Sequence, residues 1–157
     1  MSQVALTIPL ESFKVERALL SWQWLCPKDH TPLSLTAFGD WVLKAPNGNI
    51  MFLDTLEGRI TKIAESVSEF EKLKETPENR DKWFMEGFLL GLSKRGVALK
   101  TGECFGFEKP PILGGKIEVN NIKPFFISVY QTVTGQLHEQ LSKRPEGSKI
   151  TGFVLKE

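Results

Sequence analysis

The chain has 157 residues, 41% hydrophobic and 25% charged, with a formal net charge of +1. That length suits one domain able to bury about 70% of its unfolded surface without a disulfide or metal staple. Near-neutrality argues against direct nucleic-acid binding, since phosphate-tracking proteins carry a strong basic excess, and the apolar content excludes wholesale disorder.

Residues 1–13 lack the basic start and continuous apolar core of a secretory signal. No apolar run approaches the roughly 20 residues that span a bilayer, so the expectation is a cytoplasmic protein without membrane contact. Cys26 and Cys104 are far apart with no paired partner spacing, so neither a zinc site nor a disulfide framework is expected, and Cys104 reads as a reduced, buried thiol.

Taken in order, Thr7 and Pro9 can open a helix in which Phe13, Arg17, Leu20 and Trp24 recur at near-helical spacing, ending near Cys26 before Pro27. Trp22 and Trp24 are too close in sequence to share a helix face, which makes one of them a candidate contact residue, although a core or lid role is the favoured reading. Residues 27–32 form a turn-rich connection. Its Asp29 and His30 invite a general-base reading, but neighbours in a turn are expected to point apart. Residues 35–43, 50–56 and 59–64 are rich in strand formers and separated by the turns 46–49 and 57–58, which predicts a three-stranded antiparallel meander.

Ser66 with Glu69 makes a capping-box pattern at the start of a short helix whose apolar edge is Val67, Phe70 and Leu73. Thr76 followed by Pro77 opens the next helix, predicted to run unbroken to about Arg95 with Phe84, Phe88 and Leu92 on one stripe. Gly87 and Gly91 would let another element approach it closely. In residues 102–116, Cys104, Phe105 and Phe107 fit a half-buried strand. Pro110, Pro111, Gly114 and Gly115 then predict a rigid, extended elbow pinned by Phe107, Ile112 and Leu113. Residues 117–119 and 124–127 read as short extended pieces. Ser128 and Gln131 suggest a second capping box before a last helix with core stripe Val129, Val133, Leu137 and Leu141, an outer Glu139–Lys143 pair, and a stop at Pro145 and Gly147. Residues 150–155 could add an edge strand.

Three blocks carry a resemblance: Phe38, Gly39, Asp40, Gly48, Leu53, Asp54 and Gly58; then Gly102, Phe105, Gly106, Phe107, Pro111, Leu113, Gly114 and Gly115; then Gly135, Gln136, Leu137 and His138. In that order they resemble the C-terminal domain family of type VI secretion immunity proteins that protect against DNase effectors, a domain often found behind a GAD-like domain. The residues before Phe38 are too few for that additional domain. The resemblance implies a non-enzymatic immunity protein that binds a cognate toxin, a nuclease effector, and occludes or distorts its active site.

Chemistry-bearing groups are few. Cys104 with His138 is the most enzyme-like combination, a thiolate activated by histidine, although both fit core positions. Gly114, Gly115 and Lys116 lack the frame of a phosphate-cradling loop, and two isolated histidines define no metal site, so no cofactor is implied. Charge is more telling: residues 65–86 hold seven acids against four bases, so a basic partner would be steered there. The candidate partner-binding residues are Glu65, Glu69, Glu71 and Glu75, with Asp54 and Glu57 as weaker candidates. The expected fold is α+β, one domain over 1–157. An amino-terminal helix and connection (1–33) precede a core (34–157) of one antiparallel sheet, meander plus elbow strand, with the helices from Pro77 and Ser128 on one face. Alternative readings are a small-molecule enzyme using Cys104 or His138, and a regulatory protein-binding scaffold.

Overall fold

The computed structural model describes residues 4–144. The expected helix stop at Pro145 and Gly147 and the possible strand at 150–155 lie outside the described residues. The fold is α+β with antiparallel sheets, as expected. Strands β1 (Thr7–Ile8), β2 (Thr31–Thr36), β3 (Trp41–Lys44), β4 (Ile50–Asp54) and β5 (Arg59–Ala64) form one sheet in that order. The meander is thus present and two strands longer than predicted. Its first expected strand is really two, folded at Phe38-Gly39-Asp40, where Gly39 adopts φ 82° and its N–H donates to the Thr36 carbonyl.

Alternation along these strands sends Leu35, Trp41, Leu43 and Leu53 into one core and Val42, Ile50, Phe52 and Ala64 into another. Both faces are apolar, so both must be covered. Helix α1 (Val15–Leu19), the 3-10 turn Leu20–Trp22 and helix α5 (Ile127–Ser142) contribute to the first core. Helices α2 (Val67–Leu73) and α3 (Pro77–Phe84) contribute to the second. Helices therefore flank both faces rather than one.

That division depends on a break in the expected helix of residues 77–95. Met85 takes φ 53° and ψ 45°, ending α3, and α4 (Glu86–Lys94) starts afresh. The left-handed geometry costs a non-glycine residue about 1 kcal/mol or more. It is held by the Met85 N–H reaching the carbonyls of Arg80 and Asp81, by the Gly87 amide donating to the Asp81 carboxylate at 3.1 Å, and by Arg80 donating to Glu86. Phe84 consequently packs with Val42 and Trp83. Phe88 and Leu92 instead join a third core with Phe38, Phe105, Phe107 and Ile122.

The amino-terminal helix is also replaced. Thr7 and Ile8 pair with Thr36 and Leu35, so pairing with the sheet captures residues that local spacing had assigned to a helix. Only Val15–Leu19 is α-helical, and the turn after it stacks Trp22 on Trp24 with centroids 5.9 Å apart.

The elbow strand β6 (Glu103–Phe107) pairs with β7 (Ile122–Phe126) in a separate two-stranded sheet instead of extending the meander. The Phe105 amide, donating to the Ala37 carbonyl at 2.7 Å, ties it to the main sheet. The elbow is a 3-10 turn at Pro111–Leu113 rather than an extended arm, and Ile112 faces solvent. Asn121 secures it: its side chain accepts from the Lys109 N–H and donates to the carbonyls of Lys109 and Lys116. Residues 117–119 form no strand.

Helix α5 begins without the Ser128–Gln131 capping box. It buries Ile127, Tyr130, Gln131, Thr134, Leu137 and His138, while Val129 is 49% exposed. The inward face is set by close approach more than by hydrophobic period. A Cβ on Gly135 would lie 2.6 Å from the Ser21 carbonyl oxygen, and Cβ atoms on Gly39 and Gly106 would lie 3.0 and 2.3 Å from the Tyr130 ring. Overpacking there should be costly: Gly106→Ala is expected to lose about 1–3 kcal/mol in urea unfolding. Gly48→Ala, at a positive φ but with open space around it, should lose only about 1 kcal/mol.

Candidate functional site

The first cluster of polar groups lies inside the molecule. Asp40, held in the β2–β3 turn by its amide donating to Thr36 Oγ1, accepts from the Thr55 amide at 2.8 Å and hydroxyl at 2.7 Å. The Tyr130 hydroxyl stands 3.5 Å from that of Thr55. Beside them, Gln131 accepts from the Trp41 indole N–H at 3.0 Å and donates to the Gly39 carbonyl at 2.7 Å. Burial, reinforced by the charge of Asp54, pushes the Asp40 carboxyl up to about 8. Burial first and then Asp40 push the Tyr130 hydroxyl up. With every member buried, this network ties the β2–β3 turn, β3, the turn after β4 and α5 together. The sequence offered one hint of it, an aspartate directly after a glycine among strand formers.

Cys104 is fully buried, and burial, then the charges of Asp40 and Glu103, push its thiol up, which disfavours the thiolate at neutral pH. His138 lies against Gly58, where a Cβ would come within 2.3 Å of its ring, and 5.9 Å from the centroid of Trp22. Burial lowers its pKa, opposed by the carbonyls of Thr55 and Leu56. A cavity of about 20 Å³ adjoins His138, Tyr130 and Thr55, and Cys104 does not line it. The Cys104–His138 combination is therefore not assembled there. Asp29 and His30, expected to point apart, instead pair at 2.9 Å in an exposed turn. Among the described residues no group of three or more His, Cys, Asp and Glu could hold a metal ion.

The six acidic candidates fall into two groups separated by the length of β5, roughly 20 Å for a six-residue strand. At one end Asp54 is half-buried and its carboxylate accepts from the amides of Leu56 and Glu57, so it serves the β4–β5 turn; burial raises its pKa. Glu57 pairs with Arg59. At the other end Glu65, Glu71 and Glu75 pair with Lys62, Lys74 and Arg80. Glu69, whose amide donates to Ser66 Oγ at 3.1 Å, is exposed, and among the described residues its carboxylate makes no ion pair.

A surface feature the sequence did not reveal runs between the amino-terminal segment and α5. A groove of about 700 Å³ is lined by Arg17, Leu20, Trp24 and Glu139 among others, and one of about 310 Å³ by Lys14, Arg17 and Phe126. Arg17 lines both. Val129, assigned by spacing to the core stripe, projects outward on the same helix.

With this geometry in place, comparison with known proteins bears out the resemblance. Residues 64–138, slightly less than half of the chain, match the family model described as T6SS immunity protein Tdi1, C-terminal. The match supports a toxin-neutralising role. The fold is similar to that in the crystal structure of Atu4351 from Agrobacterium tumefaciens, with a TM-score of 0.50 at 19% identity. The likeness covers 83% of this chain and 65% of that one, so this chain spans about two thirds of its length. No curated protein matches. No helix among the described residues is long and apolar enough to cross a membrane.

Two measurements follow from the buried groups. A carboxyl whose folded pKa is raised is neutral in the fold while the unfolded chain has already ionised. Stability is therefore lost as pH climbs from the unfolded value near 4 to about 8. Asp40→Asn keeps an acceptor for Thr55 and removes that loss. Its stability relative to the parent should rise by at least ~1 kcal/mol between pH 4.5 and 7.5 in urea titrations; parallel curves would show Asp40 to be ionised in the fold. Both thiols should resist an alkylating reagent in the native protein and react once it unfolds. Rapid native labelling of Cys104 would revive the enzyme reading.

Proposed function

We propose that this chain is a non-enzymatic immunity protein that binds a cognate type VI secretion toxin, a nuclease, in the cytoplasm and occludes or distorts its active site. The observation that carries this reading is the family-model match over residues 64–138. The enclosed positions of Cys104 and His138 also favour a binding protein over an enzyme built on them.

A nuclease needs positive potential along its phosphate path, so an inhibitor that competes with DNA gains from presenting carboxylates. Glu65, Glu69, Glu71 and Glu75 are the groups we assign to that contact. The ion pairs of Glu65, Glu71 and Glu75 are exposed, and such pairs are worth only about 0–1 kcal/mol, so a basic partner can displace their lysines and arginine cheaply. Glu69 has no ion pair among the described residues to give up.

The test uses an inactive variant of a candidate nuclease effector, drawn from the genes neighbouring that of this chain, and follows association kinetics. Glu69→Lys with Glu71→Lys should slow association about tenfold at low salt, with the difference shrinking as salt is added. Equal rates at every salt concentration would remove the acidic strip from the interface, and no binding by the unaltered chain would sink the immunity reading for that effector.

A further inference from the structure

The groove between the amino-terminal segment and α5 has three properties that ordinary surface lacks. First, together with the smaller groove that it meets at Arg17, it gathers large apolar side chains that the core does not use: Leu20 is 61% exposed and Phe126 64%. Clusters of such exposed side chains mark interaction sites more often than lone ones do.

Second, its aromatic wall is fixed before any partner arrives. The Trp24 indole N–H donates to the Gly135 carbonyl at 3.1 Å, and its ring stacks on the fully buried Trp22. Gly135 lets the backbone of Ser21 settle directly on α5, which fixes the depth of the groove. A wall held this way loses little freedom on binding, and tryptophan and arginine are the residues on which binding energy concentrates.

Third, its charge is one-sided. Lys14 and Arg17 make no ion pair among the described residues, while the acid on the opposite wall, Glu139, is engaged by Lys143 at 3.7 Å. An occupant that complements the groove therefore sets carboxylates against Lys14 and Arg17 and apolar side chains against Leu20 and Phe126.

We infer that this groove is the anchoring site for the toxin and takes an acidic segment of it that carries apolar side chains. The inference rests on the immunity reading but not on the acidic strip. That strip is borne by α2 and its flanks, which serve the opposite face of the five-stranded sheet, so the two assignments can be tested independently. Exposed charges act mainly on the approach of a partner, whereas preformed apolar and aromatic contacts act on its departure.

The experiment measures dissociation of the inactive effector from three forms of the protein: unaltered, Arg17→Glu, and Leu20→Ser with Phe126→Ser. Because these side chains are largely exposed, each variant should melt within a few degrees of the parent, which separates loss of contact from loss of fold. Both variants are expected to release the effector at least about tenfold faster. Tight binding by the unaltered chain with unchanged release from both variants would overturn the groove and leave the immunity reading standing. No binding by the unaltered chain would overturn both. Sedimentation of the protein alone supplies the remaining arm: a dimer that the variants dissociate, with effector release unchanged, would assign the groove to a second copy of this chain and overturn the inference.

Discussion

The ring of Tyr130 sits where only glycine leaves room, against the α-carbons of Gly39 and Gly106. Through that contact α5 reaches the β2–β3 turn of one sheet and β6 of the other, three elements far apart in the chain. The same placement brings the tyrosine hydroxyl near Thr55, and Thr55 holds Asp40. An acid thus ends up in an apolar interior with its hydrogen bonds supplied by one neighbour, which is why its ionisation is tied to burial. A larger residue at Gly39 or Gly106 would displace the ring and with it the junction of the two sheets.

Where structure follows from neighbouring residues, it was legible in the sequence. The turns at Gly48 and Gly58 and the strands on either side follow from local turn chemistry and alternation. Ser66 and Thr76 cap α2 and α3 through the amides of Glu69 and Asn79. What escaped depends on contacts between elements. A methionine in left-handed geometry has no sequence signature; the break there is stabilised by Asp81 with Gly87 and Arg80 with Glu86. The hydrophobic period of α5 pointed to Val129, yet the buried face recruits Gln131, Thr134 and Gly135, because glycine contacts and polar partners decide which side can approach the core. The acidic candidates were visible as charges, whereas their lysine and arginine partners were not. The groove escaped altogether because its walls meet only in space: Trp24 and Gly135, which bond across it, are 111 positions apart.

Four of the glycines that carry the family resemblance now have physical reasons. Gly58 accommodates His138, Gly106 accommodates Tyr130, Gly115 passes the Lys109 carbonyl and Gly135 receives Ser21. Each records a contact inside the molecule. Such a signature identifies a shape, while discrimination between partners depends on exposed side chains that the fold leaves free.

One wall of the groove belongs to α5, much of which lies in the segment that matches the family model. The facing wall, residues 17–24, lies outside it. The two walls are therefore encoded in separate stretches of the gene. Recombination that exchanged only the matched stretch between relatives would preserve the interior contacts while pairing walls of different ancestry. A new binding surface could arise in one such event on an unchanged scaffold.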